Sequence, residues 1–469
     1  MKKILFVASE ARPFAASGGL GDVIGSLPPA LADGGDLDVR AVMPLYGSIP
    51  AQYREKMKYL CNFYVQLSWR SQYCGVFEYE YKGVKYYFLD NEYYFKREML
   101  YGSYDDGDRF AFFSKAVLDM FAHIGWVPDI LHANDWQSAL TVIYHKCRGY
   151  YPEMKTVYTI HNLEYQGRYG TELLGDIFDL PPESENVVRY GGDINLTKGA
   201  IVCCDALTTV SPQYAAELRT EYFAQGLDGI INENAYKLRG IVNGIDTEYY
   251  NPRGEGLAVR FDADSMAGKT RNKTALQKEL GLPERKDVPV ISMISRLASH
   301  KGFDLVKRVI DDVMKADVQF VLLGTGEREY EDFFRALGQR YPDKTSINIA
   351  FDKDLAKRIY ASSDMFLMPS RSEPCGLAQM IASAYGTVPI VRETGGLYDT
   401  IKPFDEYNGT GNGITFATYN AHDMLDAIWR AVGLYADKSK WDTLRKNAMK
   451  CDFSWNASAR KYIELYSTL

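Results

Sequence analysis

No apolar run in this 469-residue chain approaches the ~20 residues that a membrane-spanning helix requires. Basic charge is not in excess either. The formal net charge is −7, which argues against nucleic acid or an anionic membrane surface as the main partner. Cysteines number seven, an odd count without a C-x-x-C spacing, so a reduced, cytoplasmic setting is expected. Low-complexity tracts and short-period repeats are missing. There are only six histidines, and neither an H-E-x-x-H helix nor an EF-hand loop, so no metal site and no cofactor is expected. The lack of a G-x-S-x-G elbow and of a G-x-x-x-x-G-K-[ST] loop argues against a serine hydrolase or a P-loop NTPase. Met1-Lys2-Lys3 opens like a secretory leader, but its apolar run stops at Ser9-Glu10 and reads as a first β-strand.

What is present is a regular alternation. Short apolar runs (Ile4–Ala8, Val39–Met43, Tyr86–Leu89, Ile130–His132, Thr156–Ile160, Ala206–Val210) are separated by longer helical stretches. The pattern resumes at Val290–Ile294, Gln319–Leu323, Ser346–Ala350, Met365–Met368 and Pro389–Val391. Short buried strands alternating with helices predict parallel sheets covered on both faces, with ligands beyond the carboxyl ends of the strands. The length suggests two domains. We place them at residues 1–245 and 246–453, followed by a helix over 454–469 that packs back on the first domain. The 35 tyrosines, many between Tyr73 and Tyr104, suit either a sugar-binding surface or ordinary half-buried strands.

Two turns stand out, Ser17-Gly18-Gly19-Leu20 after the first strand and Thr394-Gly395-Gly396-Leu397 after the last strand of the second series. Each passes from strand through Gly-Gly toward a helix, a setting in which free amides and the helix dipole could receive an anion. In Arg296–Lys301 the two cations could grip one diphosphate, or simply be solvated. Pro374 biases Glu373 away from α geometry, into a sharp turn ahead of a helix whose first amides could bind hydroxyls or phosphate, a capping or turn role for Glu373 being the alternative. Asp135 and His161 end strands and could bind ligand hydroxyls, a satisfied core histidine being the alternative.

Taken together, SGGLGDVIGSLP, HANDW, TIHNLEYQG, VNGIDTEYYNP, SRLASHKG, PSRSEPCGLAQ and TGGLYDT resemble the bacterial glycogen synthase family, close to plant starch synthase. The resemblance runs from Ile4 to about Trp455. It implies an α/β architecture of two Rossmann-like domains facing across a cleft (the GT-B fold). It also implies retaining transfer of glucose from ADP-glucose to the non-reducing end of an α-1,4-glucan, without a metal. By the same resemblance the catalytic set is Glu373, Arg296, Lys301, His161 and Asp135. Substrate contacts are assigned to Gly18, Gly19, Leu20, Asn162, Asn243, Phe351, Cys375, Gly376, Leu377, Thr394, Gly395, Gly396 and Leu397. Phe351 stands where the family often has a tyrosine against the nucleobase. Donor binding is expected to close the two domains about a hinge near Asn243–Pro252 and the chain before Ser454.

No paired carboxylates of the glycosidase kind are recognisable, so front-face attack assisted by the leaving phosphate is expected rather than a covalent intermediate. The chain departs from the family pattern at Ala16, where a lysine is usual, at Ser372, usually phenylalanine, and at Ser383-Ala384, where a basic residue is common. The missing lysine keeps two alternatives open: a UDP-glucose-using transferase of the same fold, or a non-catalytic glucan-binding paralogue. Oligomeric state is not legible.

Overall fold

The apolar run after Met1 forms the strand Lys2–Val7 in the computed structural model, which describes residues 1–469. The chain divides into two units, Met1–Gly244 with Trp455–Leu469, and Ile245–Ser454.

The first unit is built on a nine-stranded sheet. Its strands lie in the order Leu238–Gly240, Ala206–Thr209, Lys155–Ile160, Ile130–Asn134, Lys2–Val7, Leu37–Pro44, Val84–Asp90, Arg70–Tyr81 and Lys58–Leu67. All neighbours are parallel except the last two pairings, which are antiparallel. That departs from the expected all-parallel sheet. The reason is local: Lys82-Gly83 makes a tight turn with positive φ at both residues, which folds the tyrosine-rich stretch into hairpins. Tyr86, Tyr87 and Tyr94 are buried in that region, whereas Tyr64, Trp69 and Tyr93 are exposed. From Lys2–Val7 the chain runs outward on one side, then returns to Ile130–Asn134 and runs outward on the other. The switch point therefore lies between these two strands, where α/β sheets open a crevice at their carboxyl ends.

The second unit has a six-stranded, wholly parallel sheet. Its order is Thr345–Asn348, Gln319–Leu323, Val290–Ile294, Met365–Met368, Val388–Arg392, Ile414–Phe416. The switch point here separates Val290–Ile294 from Met365–Met368. Helix Phe303–Val313 carries Phe303, Val306, Val309, Ile310 and Val313 on one face at helical spacing, and these pack with Ile291, Met293, Phe320 and Leu322. Each such buried side chain contributes roughly 1.5–3 kcal/mol. Three helix starts in this unit carry side-chain caps: Asp352 accepts from Leu355 N at 2.8 Å, and Asn420 and Asp437 cap the helices that follow them.

The final helix, Trp455–Ser467, belongs to the first unit and lies against helix Gly19–Ala32. The Tyr466 hydroxyl meets His132 Nδ1 at 2.7 Å, and Lys2 Nζ donates to Tyr466 O at 2.7 Å. The end of the chain thus backs the strand that carries HANDW.

Candidate functional site

At the switch point of the first unit the strand Lys2–Val7 runs out into Ser9 and Glu10. The buried Glu10 carboxylate accepts from Ser17 N at 2.6 Å and Gly18 N at 3.1 Å through Oε2. Its Oε1 accepts from Ser17 Oγ at 3.0 Å and from the Tyr101 hydroxyl at 2.7 Å. The expectation of an open anion cradle is corrected on this point: amides leading into helix Gly19–Ala32 are already held by the protein's own carboxylate. The physical reason is charge-assisted hydrogen bonding, about twice as strong as the neutral kind, to a group the strand end delivers. Gly18 and Gly19 themselves are exposed, and a Cβ at either would meet nothing within 4 Å. Leu20, beside them, is buried. The sequence marked Glu10 only as a strand-end residue and gave no sign of Tyr101, because their pairing spans an irregular segment without periodicity.

Across the switch point, Asp135 has φ 57° and ψ 177°, a conformation that costs a non-glycine residue on the order of 1–3 kcal/mol. Surrounding bonds impose it: Asp135 N donates to Thr159 O at 3.0 Å, and its Oδ1 accepts from His161 N at 2.8 Å. Burial pushes the Asp135 carboxyl up to about 7, against the opposing pull of the His161 and Asn162 amides, and Glu10 adds a smaller upward push. Burial draws His161 down to about 3, so its ring is neutral. His161 Nε2 lies 2.9 Å from Asn134 Oδ1, which fixes the ring orientation. Asn162 Oδ1 accepts from Glu164 N at 3.0 Å and shapes the turn that follows. His132, by contrast, is a core residue. It lies 2.5 Å from Thr159 Oγ1, and burial takes it down to about 3. Asn243 is buried, and its Oδ1 has no hydrogen-bond partner.

In the second unit the loop after Val290–Ile294 carries Arg296, exposed and without an ion pair, and then a short 3-10 turn, Ser299–Lys301. Gly302 follows with φ 79°, and a Cβ there would sit 2.1 Å from Pro369 O. Only glycine permits this approach. It draws the loop onto the end of Met365–Met368, where Arg371 N donates to His300 O at 2.8 Å. The result is the pair Lys301–Glu373, with Nζ 2.9 Å and 2.7 Å from the two carboxylate oxygens. Ser370 Oγ adds a third bond at 3.0 Å.

The Gly395-Gly396 turn is packed directly on the same segment. Gly396 N donates to Glu373 O at 3.1 Å. A Cβ at Gly395 would lie 2.0 Å from Glu373 O, and one at Gly396 2.0 Å from Cys375 O. Here too the open-cradle expectation is corrected, since this amide serves the protein backbone. Thr394, Leu397 and Cys375 are buried, and Gly376 has φ 71°. Gln379 Nε2 ties the carbonyls of Cys375 and Gly376 at 3.1 and 3.0 Å, so Leu377 enters its helix from a fixed turn. Phe351 is 81% exposed on the loop after Thr345–Asn348, at the same carboxyl edge.

The structure therefore brings Glu373, Lys301, Cys375, Gly376, Gly395 and Gly396 into one constellation in the second unit. It joins Asp135, His161 and Asn162 in the first, with Glu10, Gly18 and Gly19 at the adjoining strand end. Lys301 beside a buried carboxylate stands at one switch point, and a carboxyl with a neutral imidazole at the other.

Comparison with known proteins gives the chain a family. Residues 3–233 match the starch synthase catalytic domain model, and residues 273–450 match that of glycosyl transferases group 1. A glycogen synthase from Clostridium novyi (strain NT) is 49% identical over 99% of both chains, and one from Bacillus anthracis is 48% identical over the same share. Among solved structures, the catalytic domain of starch synthase IV from Arabidopsis thaliana, bound to ADP and acarbose, superposes with a TM-score of 0.91 at 33% identity, covering 100% of this chain and 99% of that one. Sucrose-phosphate synthase from Thermosynechococcus elongatus, at 17% identity and a TM-score of 0.63 with 100% and 99% coverage, shares the fold alone. The chain belongs to the glycogen and starch synthase family, and its two units are those of a GT-B glycosyltransferase.

Proposed function

We propose that this chain moves glucose from ADP-glucose to the non-reducing end of an α-1,4-glucan, with retention of configuration. The observation that carries the reading is the Lys301–Glu373 pair at the carboxyl edge of the second sheet, with the unpaired Arg296 guanidinium on the same loop. A departing nucleoside diphosphate gains negative charge, and fixed cations aimed at it lower the barrier without reorganisation. Arg296 supplies a bidentate grip and Lys301 a point charge. Phe351 offers an exposed ring face for the base. The adenine donor follows the starch synthase relative, which carries ADP.

Residues 1–245 take the acceptor side in this reading and residues 246–453 the donor side, and the enzyme works in the cytoplasm. Asp135 and the neutral His161 bind glucose hydroxyls. Glu373 orients the sugar and opposes positive charge at its anomeric carbon. Both its oxygens are engaged by Lys301, which lowers their nucleophilicity and favours front-face attack, with a leaving phosphate oxygen accepting the acceptor proton.

The test is incorporation of labelled glucose into glycogen from ADP-glucose and UDP-glucose separately, with the anomeric configuration of the product read by NMR. We expect α-linked incorporation from ADP-glucose. Incorporation from UDP-glucose alone would reassign the donor. None from either, with glycogen binding intact, would return the chain to the glucan-binding reading. A glucosyl adduct trapped on Glu373 would overturn front-face attack.

A further inference from the structure

The second unit holds a cavity of about 150 Å³ on the side of the sheet away from Arg296 and Glu373. Asp364 lines it, immediately before strand Met365–Met368, and accepts from Val290 N at 2.9 Å at the start of the neighbouring strand. The cavity is therefore at the amino ends of the strands. A strand length separates it from the candidate donor site, on the order of 15 Å at ~3.3 Å per residue.

Five basic side chains, Lys269, Lys273, Lys286, Lys438 and Arg445, line it against the single carboxylate Asp364. Not all of them are available. Lys269 Nζ is satisfied by Tyr385 O at 2.8 Å and Thr387 Oγ1 at 2.7 Å, and burial holds it well below the ordinary lysine range. Lys273 pairs with Asp364 at 2.7 Å and donates to the Tyr435 hydroxyl at 3.0 Å. Arg445 pairs with Asp442 through Nη2. Lys438 donates to Tyr435 O at 3.0 Å and lies 3.6 Å from the centre of that ring. Lys286 is exposed at the rim, as is Asp287.

After this pairing, two buried donors remain without acceptors: Arg445 Nε and the indole Nε1 of Trp441, a residue only 1% exposed. Leaving a buried donor unmade costs about 1–3 kcal/mol. Both orphans being donors, the cavity is short of acceptors and carries surplus positive charge from Lys286 and Lys438. Its volume is about five times the ~30 Å³ share of one liquid water, enough for a tetrahedral oxyanion.

We propose that this cavity binds a small phosphate-type oxyanion, either inorganic phosphate or the phosphoryl group of a phosphorylated metabolite, held by Lys286, Lys438, Arg445 Nε and Trp441 Nε1. Such a ligand ties the loop that carries Lys286 to helix Lys438–Met449 and stabilises the second unit by mass action.

The test is thermal unfolding of the full chain against inorganic phosphate, with ionic strength held constant by sodium chloride. We expect a saturable rise in Tm of about 3 °C or more at phosphate well above Kd. The rise persists in Arg296→Ala, which weakens the candidate diphosphate site. In Lys438→Gln, a change at an exposed side chain that leaves folding intact, affinity falls by about tenfold or more, and Trp441→Phe, which keeps an aromatic side chain but removes the Nε1 donor, also lowers it. Calorimetric titration with phosphate and with a hexose phosphate separates the two sources by which binds more tightly. No rise beyond the chloride control would overturn the proposal. So would a rise unchanged in Lys438→Gln and lost in Arg296→Ala.

Discussion

The two Gly-Gly turns have nearly the same sequence and are built for opposite reasons. In both units a strand-end glutamate holds the turn. Glu10 does so with its side chain, taking the amides of Ser17 and Gly18. Glu373 does so with its backbone carbonyl, taking the amide of Gly396, and so keeps its carboxylate for Lys301. The first pair of glycines stands open, with space where side chains would go. The second pair is buried and has none. One turn keeps its glycines for access, the other for packing. The charge differs as well: the second switch point carries Arg296 and Lys301, while Ala16 beside the first glycine turn carries none.

The largest effect expected from that contrast is on the cationic side. Arg296→Ala should lower kcat/KM by about 10²–10³, the range seen on removing a preorganised charge donor. A loss below tenfold in steady-state assays would mean that the second switch point does not depend on its cations.

The glycine contrast itself can be broken by stability measurements. Gly396→Ala places a methyl 2.0 Å from Cys375 O and should destabilise the second unit by about 3 kcal/mol. Gly18→Ala, at φ −148° and in open space, should stay within about 1 kcal/mol. Equal losses in denaturant titrations would erase the distinction between the turns.

A pH prediction sharpens the first switch point. Asp135 rises from its ordinary 3.8 to about 7 in the folded chain, so folding favours the protonated form. Its contribution to stability is complete below about 4 and is lost as pH rises through 7. Asp135→Asn should therefore unfold at higher temperature than the parent at pH 8 and at a similar temperature at pH 4. A parent rising limb in kcat/KM near pH 7 should vanish in the same variant. In Glu10→Gln that limb should shift to lower pH, because one negative neighbour is removed. A limb that stays in place in both variants would detach Asp135 from sugar binding.

The smallest effect is at residue 16. Ala16→Lys adds a cation that an anionic donor could pair with, and an exposed ion pair is worth about 0.2–1 kcal/mol. Donor KM should fall by about two- to fivefold. No change would make the missing lysine incidental to the difference between the turns.

Much of this molecule was legible from periodicity. Val290–Ile294, Gln319–Leu323 and Met365–Met368 begin and end as their apolar runs do. They are flanked by parallel neighbours and covered on both faces, so such strands read as near-continuous apolar runs. Tyr86–Leu89 was read as a strand, but its partners Lys58–Leu67 and Arg70–Tyr81 were not, because they lack a continuous apolar run and leave Tyr59, Tyr64 and Tyr73 exposed. At the site, motif spacing named Lys301 and Glu373 separately. Their contact depends on Gly302 lying against Pro369, a long-range approach with no local signature. Glu10 and Tyr101 were missed as a pair for the same reason.

The positions of most strands along the chain and the residue types at their ends were set by the chain's own pattern of apolar runs, turns and cations. Hydrophobic periodicity acts locally and can be read in one dimension. Whether an amide near a glycine turn is open or already bonded was decided only by tertiary structure, because acceptors such as Glu10 and the Glu373 carbonyl arrive from distant segments. The same holds for the orphaned donors around Trp441 and Arg445. A hydrogen bond is made or left unmade in three dimensions, and its energy depends on which groups the fold removes from water.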